Sequence, residues 1–197
     1  DGLSVDIIIS DGTSTVTSTA TVSSGTWSIT EDISSLTDGS ITVTATSTDT
    51  IGNIATSSES FLKDTATTIT IDTTLSGDNV INPAEETTFS VSGAGEPGTS
   101  VTISITDGTS TITDTTTVDS NGRFILPFDV SSLSEGTLTI NVAAVDVAGN
   151  TDSDSTSVTY DLSAIVVAIN EPIEGDNIIN SVEQTDVVIS GVGSPGA

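Results

Sequence analysis

The side chains of this sequence that could do chemistry are almost all oxygen donors. Asp78, Asn79 and Glu85 stand together in the stretch Gly77-Asp78-Asn79-Val80-Ile81-Asn82-Pro83-Ala84-Glu85-Glu86. The arrangement returns as Gly175-Asp176-Asn177-Ile178-Ile179-Asn180 followed by Glu183, an offset of 98 residues (175 − 77). Histidine and cysteine are absent, so neither imidazole nor thiolate is on offer. Carboxylate and amide oxygens select hard cations. Ca2+ accepts about 6–8 such ligands in flexible geometry, whereas Mg2+ demands tighter octahedral order, so calcium is the favoured ion. The plainer role of the same residues is turn formation, because Asp and Asn side chains bond to their own backbone.

Composition narrows the partners. Against 28 acidic residues stand 2 Lys+Arg, a net charge of −26. Nucleic acid and anionic membrane surfaces are therefore excluded as favourable partners, since like charges repel and no counterions are released. The acidity serves either solubility or the binding of cations. With 34 % hydrophobic and only 15 % charged residues, the chain is not of the charge-driven disordered kind. Its abundant Thr, Val and Ile favour pleated strands. No apolar run approaches the ~20 residues needed to span a bilayer, and no basic-then-apolar leader opens the chain, so no membrane insertion is expected. The missing initiator Met suggests an excerpt from a longer protein.

The elements that must position these oxygens come from a repeat. Ser10-Asp11-Gly12-Thr13-Ser14-Thr15 matches Thr106-Asp107-Gly108-Thr109-Ser110-Thr111, and Asp32-Ile33-Ser34-Ser35-Leu36 matches Asp129-Val130-Ser131-Ser132-Leu133. Asp49-Thr50-Ile51-Gly52-Asn53 matches Asp146-Val147-Ala148-Gly149-Asn150, and Ser92-Gly93-Ala94-Gly95-Glu96-Pro97-Gly98 matches Ser190-Gly191-Val192-Gly193-Ser194-Pro195-Gly196. Only 65–161 holds every element once. Residues 1–64 are a partial copy with the third to seventh strands, and 162–197 a partial copy with the first two. Apolar residues alternate with period 2, which predicts strands near 67–72, 87–92, 100–106, 109–118, 123–129, 137–145 and 153–160. Val101, Ile103 and Ile105 share one face, as do Phe124, Leu126 and Phe128. Asp107-Gly108 and Ser120-Asn121-Gly122 read as turns. Seven short strands in about 98 residues predict an all-β chain of tandem immunoglobulin-like seven-strand β-sandwiches.

Strand order then assigns the acids to poles. The turn between the first and second strands, with Asp78, Asn79 and Glu85, is expected at the lower pole, where the chain also leaves through Asp161. The next copy's upper pole arrives there with its second-to-third and sixth-to-seventh strand turns, the latter carrying Asp146 in the complete copy. Acids of two neighbours thus converge on each linker. The candidate metal ligands are Asp64, Asp72, Asp78, Asn79, Glu85, Asp146, Asp161, Asp176, Asn177 and Glu183. Trp27 stands where the next copy has Phe124 and is expected to be an inward-facing core residue. Leu36 and Leu133 are expected to plug the bottom of each sandwich. Lys63 is replaced by Tyr160 in the next copy, so a Lys–Asn crosslink is not a property of the repeat.

Gly-Asp-Asn-Val-Ile-Asn-x-Ala-Glu after a Thr-Ile-Asp strand, Gly-x-Trp-Ser-Ile, and Asp-x-x-Gly-Asn before a final strand resemble bacterial Ig-like repeats. Such repeats fill the extender stalks of very large surface adhesins, often repeats-in-toxin proteins exported by type I secretion. The resemblance covers nearly the whole chain. It implies calcium-rigidified linkers, neighbouring Ig-like repeats as partners, an extracellular place on the bacterial surface, and a role in attachment or biofilm. The third copy departs from the pattern with Asn170 in place of Asp72 and Gln184 in place of Glu86. The reading is a structural extender and not an enzyme. Two alternatives stand beside it. In one, residues 163–190 complete the N-terminal sandwich of a neighbouring subunit in a surface filament. In the other, the chain is a glycan-binding module, against which its aromatic content of 3 % argues.

Overall fold

The computed structural model describes residues 2–194. The first unit is a single antiparallel sheet of β1 (Ser4–Ser10), β2 (Thr15–Thr21), β3 (Gly39–Thr48) and β4 (Ile54–Lys63), in the order β2-β1-β3-β4. Alternation puts Val5, Ile7, Ile9 and Ile41 on one face, where they are buried with Ala20 and Leu36. That face is covered by loop residues including Val22, Ile29 and Ile33 rather than by a second sheet.

The second unit is a sandwich. Its smaller sheet has the order β10 (Arg123–Phe128), β7 (Phe89–Gly95), β5 (Ile69–Ile71). Its larger sheet has the order β6 (Val80–Ile81), β12 (Thr151–Tyr160), β11 (Gly136–Val145), β8 (Ser100–Thr106), β9 (Thr111–Thr117). Val101, Ile103, Ile105, Leu138, Ile140 and Val142 of the larger sheet meet Ile69, Phe89, Val91, Phe124 and Phe128 of the smaller one in a continuous core. Burying each such side chain contributes roughly 1.5–3 kcal/mol. Leu133 is buried within this core, as Leu36 is in that of the first unit.

Gly93 is required where β5 crosses it. A Cβ at this position would lie 2.1 Å from the Thr70 carbonyl oxygen and 2.5 Å from the Phe124 ring.

The seven expected strands become eight, and the extra one falls in the Gly-Asp-Asn stretch. After β5 the chain leaves the smaller sheet, turns through Ser76 and Asn79, both with positive φ, and crosses to the larger sheet. There Val80 and Ile81 pair in parallel with Thr159 and Tyr160 of β12. The stretch is therefore a sheet-changing crossover as well as a turn.

The third unit is a two-stranded antiparallel pair, β13 (Val167–Ile169) and β14 (Gly191–Gly193). Its register, Val167 opposite Gly193, repeats that of Ile69 opposite Gly95. Pro195 and Gly196 of the repeated Ser-Pro-Gly motif lie outside the described residues.

The expectation for Trp27 is corrected. Phe124 is 3 % exposed, but Trp27 is 42 % exposed, and no strand forms at 26–31. The cause is the missing neighbour. β10 is held by hydrogen bonding to β7 from Arg123 opposite Ala94 to Phe128 opposite Phe89. Among the described residues the first unit holds no counterpart of β7.

Candidate metal centre

The linker after β4, the β7–β8 loop and the β11–β12 loop bring Asp64, Glu96 and Asp146 together, with one carboxylate oxygen from each within 4.8 Å of the others. All three residues are half-buried. Among the described residues this is the one such group of three or more acids. The β11–β12 turn explains the fixed position of Asp146. Its Oδ1 accepts from the backbone N–H groups of Gly149 (2.7 Å) and Asn150 (2.8 Å), and Gly149 supplies the positive φ of the turn. Asn150 then joins the acids: its Nδ2 donates to Asp146 Oδ2 at 2.8 Å and to Asp64 Oδ1 at 3.1 Å. Burial pushes the Asp146 carboxyl up, yet the Asn150 side-chain and backbone bonds, with those of Gly149 and Ala148, hold it below the ordinary carboxylate value.

Neither cationic side chain neutralises this group. Lys63, beside it in sequence, pairs with Asp38 at 2.7 Å, and that carboxyl is pushed down to about 2 by the lysine and by Thr65. Arg123 chelates Asp72 through Nη1 (3.0 Å) and Nη2 (2.5 Å). These are the chain's only two cationic side chains. Charges about 4–5 Å apart repel by roughly 1 kcal/mol at the dielectric of water and by roughly 3–4 kcal/mol at an effective value of 20. The donor set suits Ca2+. Oxygens at about 2.3–2.6 Å from one ion lie at most about 5 Å apart, which accommodates the observed spacing.

The other candidate ligands are elsewhere, each with a local partner. Asp72 is held by Arg123 and by Ser92 (2.5 Å), and both, the arginine foremost, lower its pKa. Asp78 accepts from Val80 N–H at 2.9 Å. Asn79 accepts from Leu75 N–H at 2.7 Å and donates to the Thr73 carbonyl. Glu85 accepts from Asn82 N–H at 3.2 Å. Asp161 accepts from Ser163 N–H at 2.8 Å and is lowered by that residue. Asp176, Asn177 and Glu183 repeat the pattern, accepting from Ile178, Ile173 and Asn180. The turn-forming role of these residues is thus on display. Glu96 and Asn150 had not been singled out, although both lie in the repeated motifs, and the pole reasoning that selected Asp146 points to the β7–β8 loop as well.

Two further carboxylates bridge the sheets. Asp152 and Asp154 of β12 accept from the backbone N–H groups of Ile69 (2.9 Å) and Ile71 (2.8 Å) on β5.

Residues 75–161 match the family described as Bacterial Ig domain, and residues 1–73 match that described as Bacterial Ig-like domain. The chain belongs to the bacterial Ig-like domains. No curated protein matches it. Among solved structures, a tetra-tandem repeat from the extending region of a large adhesion protein is 32 % identical over 98 % of this chain and 49 % of its own, with a TM-score of 0.45. A Ca2+-stabilized adhesin that helps an Antarctic bacterium reach out and bind ice is 28 % identical over 98 % of this chain and 49 % of its own, with a TM-score of 0.43. An immunoglobulin-like domain of the M. primoryensis ice-binding adhesin is 34 % identical over 50 % of this chain and 100 % of its own, with a TM-score of 0.37. The chain thus spans about half the length of the two larger of these.

Proposed function

We propose that this Ig-like chain is a segment of a structural extender, a stalk on the bacterial cell surface that serves attachment or biofilm formation. Its repeats divide at 64/65 and 161/162, and Ca2+ orders the linkers between them. The observation that carries this reading is the meeting of Asp64, Glu96 and Asp146 from three segments at a linker, with both cationic side chains engaged elsewhere. Asp64, Glu96 and Asp146 hold the ion, and Asn150 fixes the spacing between Asp64 and Asp146 through its two donated bonds. The bound ion supplies the positive charge that lets three carboxylates share one site and so ties the linker to the sandwich. At the next linker Asp161 takes the place of Asp64, but Ser194 replaces Glu96, so that site is poorer by one carboxylate.

One of the similar proteins is a Ca2+-stabilized adhesin; the reading here stands on this chain's own acids. Extracellular modules bind Ca2+ at roughly 10⁻⁴–10⁻³ M, and a tenfold excess over Kd adds about 1.4 kcal/mol per site. Small-angle scattering of the chain in Ca2+ and in EDTA tests the proposal. Chelation is expected to shorten the maximum dimension and to expose the linker at 64 to limited proteolysis. Identical scattering and cleavage in both buffers would sink it.

A further inference from the structure

We infer that the middle sandwich is a shear clamp, in which β5 and β6 are fastened to β12 so that tension along the chain loads every fastening together. The first and third units join this sandwich before β5 and after β12. A pull along the chain therefore draws β5 and β6 one way and β12 the other. β6 runs parallel to β12, with Val80 beside Thr159 and Ile81 beside Tyr160. Thr159 N–H donates to the Asn79 carbonyl (2.9 Å) and Asp161 N–H to that of Ile81 (3.0 Å). Parallel strands drawn from opposite ends slide along each other, and the bonds lying across that motion must break together. In an antiparallel pair drawn at its adjoining ends, the bonds open one at a time.

β5 extends the clamp by a different device. It is the outer strand of the smaller sheet, and such an edge presents N–H groups without a strand to receive them. Ile69 and Ile71 donate theirs to the side chains of Asp152 (2.9 Å) and Asp154 (2.8 Å). The order is again parallel, so the same pull shears these bonds as well. A carboxylate acceptor makes such a bond roughly twice as strong as a neutral one. In the first unit Ala55 and Ser57 stand at the places of Asp152 and Asp154, so the carboxylate fastening distinguishes the middle repeat. Asp152 and Asp154 thus act as positioning residues that hold β5 under load. The clamp rests on the extender reading for its use, but no metal enters it. Its test is run in EDTA, so that failure of the clamp and failure of the calcium linkers are separate results.

Cysteine is absent, so introduced cysteines are unique attachment points for single-molecule pulling of the full chain. Ala66→Cys with Ser163→Cys, both at exposed positions, draws the sandwich along its strands. Glu135→Cys with Ser163→Cys draws β11 from β12 at their adjoining ends, where Gly136 lies opposite Tyr160. At one constant force the first pair is expected to hold at least about tenfold longer than the second. Asp152→Ala with Asp154→Ala is expected to shorten the lifetime roughly a hundredfold in the first geometry, about tenfold for each bond lost. The second geometry should change little. Asn at both positions keeps an acceptor oxygen and is expected to restore most of the loss. Asp152→Ala alone, expected to cost about tenfold, serves if the double variant does not fold. Equal lifetimes in the two geometries overturn the clamp. So does an alanine variant that shortens both lifetimes alike, which marks plain destabilisation, and so does one that shortens neither.

Discussion

Asp107 shows how one carboxylate organises two loops. Its Oδ1 accepts from Thr109 N–H (2.8 Å) and Ser110 N–H (2.7 Å) in the β8–β9 turn, and its Oδ2 accepts from Ser134 N–H (2.8 Å), 27 residues away. Asp11 repeats this with Thr13, Ser14 and Thr37. Backbone bonds, first from Ser110 and Ser14, hold both carboxyls well below the usual range. A depressed folded pKa contributes stability that is fully present above the unfolded value of about 3.9 and is lost as pH falls through the folded value. The urea midpoint is therefore expected to fall steadily as pH drops below about 4. Asp107→Asn should lower the midpoint at neutral pH and flatten that acid limb; an unchanged limb would refute the assignment. Tyr160 sets the alkaline limit. Burial first, then its hydrogen bond to Glu86, push its phenol up to about 12. This raised value contributes stability present below the unfolded pKa of about 10 and lost as pH climbs through the folded value. Tyr160→Phe is expected to remove that alkaline loss in the same titration. At this scale the turns were legible, because Asp-Gly and Asn-Gly dipeptides act locally. The bond from Asp107 to Ser134 was not, since nothing in sequence spacing marks a contact between loops.

The elements separate what periodicity can and cannot convey. β8, β10 and β11 follow the alternation closely because each sits between or beside long partners in a sheet. β6 escaped it: two residues held only by Thr159 and Tyr160 are too short to show a period, and their parallel pairing depends on a crossover that no local pattern encodes. Trp27 escaped for the opposite reason. Its sequence context is right, but the neighbouring strand that would fix it is not among the described residues. The two aromatic positions therefore have different energetic weight. Phe124→Ala is expected to cost about 3–5 kcal/mol, as for large buried aromatics. Trp27→Ala should cost much less, because Trp27 is largely exposed, as read by urea denaturation of each variant; equal losses would contradict that difference in burial. Gly93→Ala is expected to cost about 1–3 kcal/mol or more through overpacking. Its Cβ would meet Thr70 and Phe124 at once, so β5 would have to leave β7. Retention of β5 amide-exchange protection in that variant would refute the steric argument.

At the scale of the whole molecule, repetition and charge were the most legible features, and the group of three acids the least. Pole reasoning chose Asp64 and Asp146, which the structure gathers with Glu96, and it also chose acids such as Asp78 and Asp72 whose oxygens the fold engages elsewhere. Sequence cannot distinguish a carboxylate turned toward its own backbone from one turned toward a neighbour's. A net charge of −26 raises a competing account of any calcium effect, because every cation relieves self-repulsion. The two accounts separate by experiment. At roughly 0.15 M NaCl the screening length is about 8 Å, so exposed acids are already shielded and further monovalent salt should change little. Adding about 1 mM Ca2+, near the expected site affinity, should still raise the melting temperature of the sandwich that carries Glu96 and Asp146. Matched ionic strength from NaCl should not. Asp146→Asn removes a carboxylate while keeping an oxygen and the turn's shape, and it should abolish most of that increment and leave the salt response intact. If calcium and sodium chloride act alike, or if Asp146→Asn responds to calcium as the unaltered chain does, the effect is screening and the three carboxylates are not a binding site.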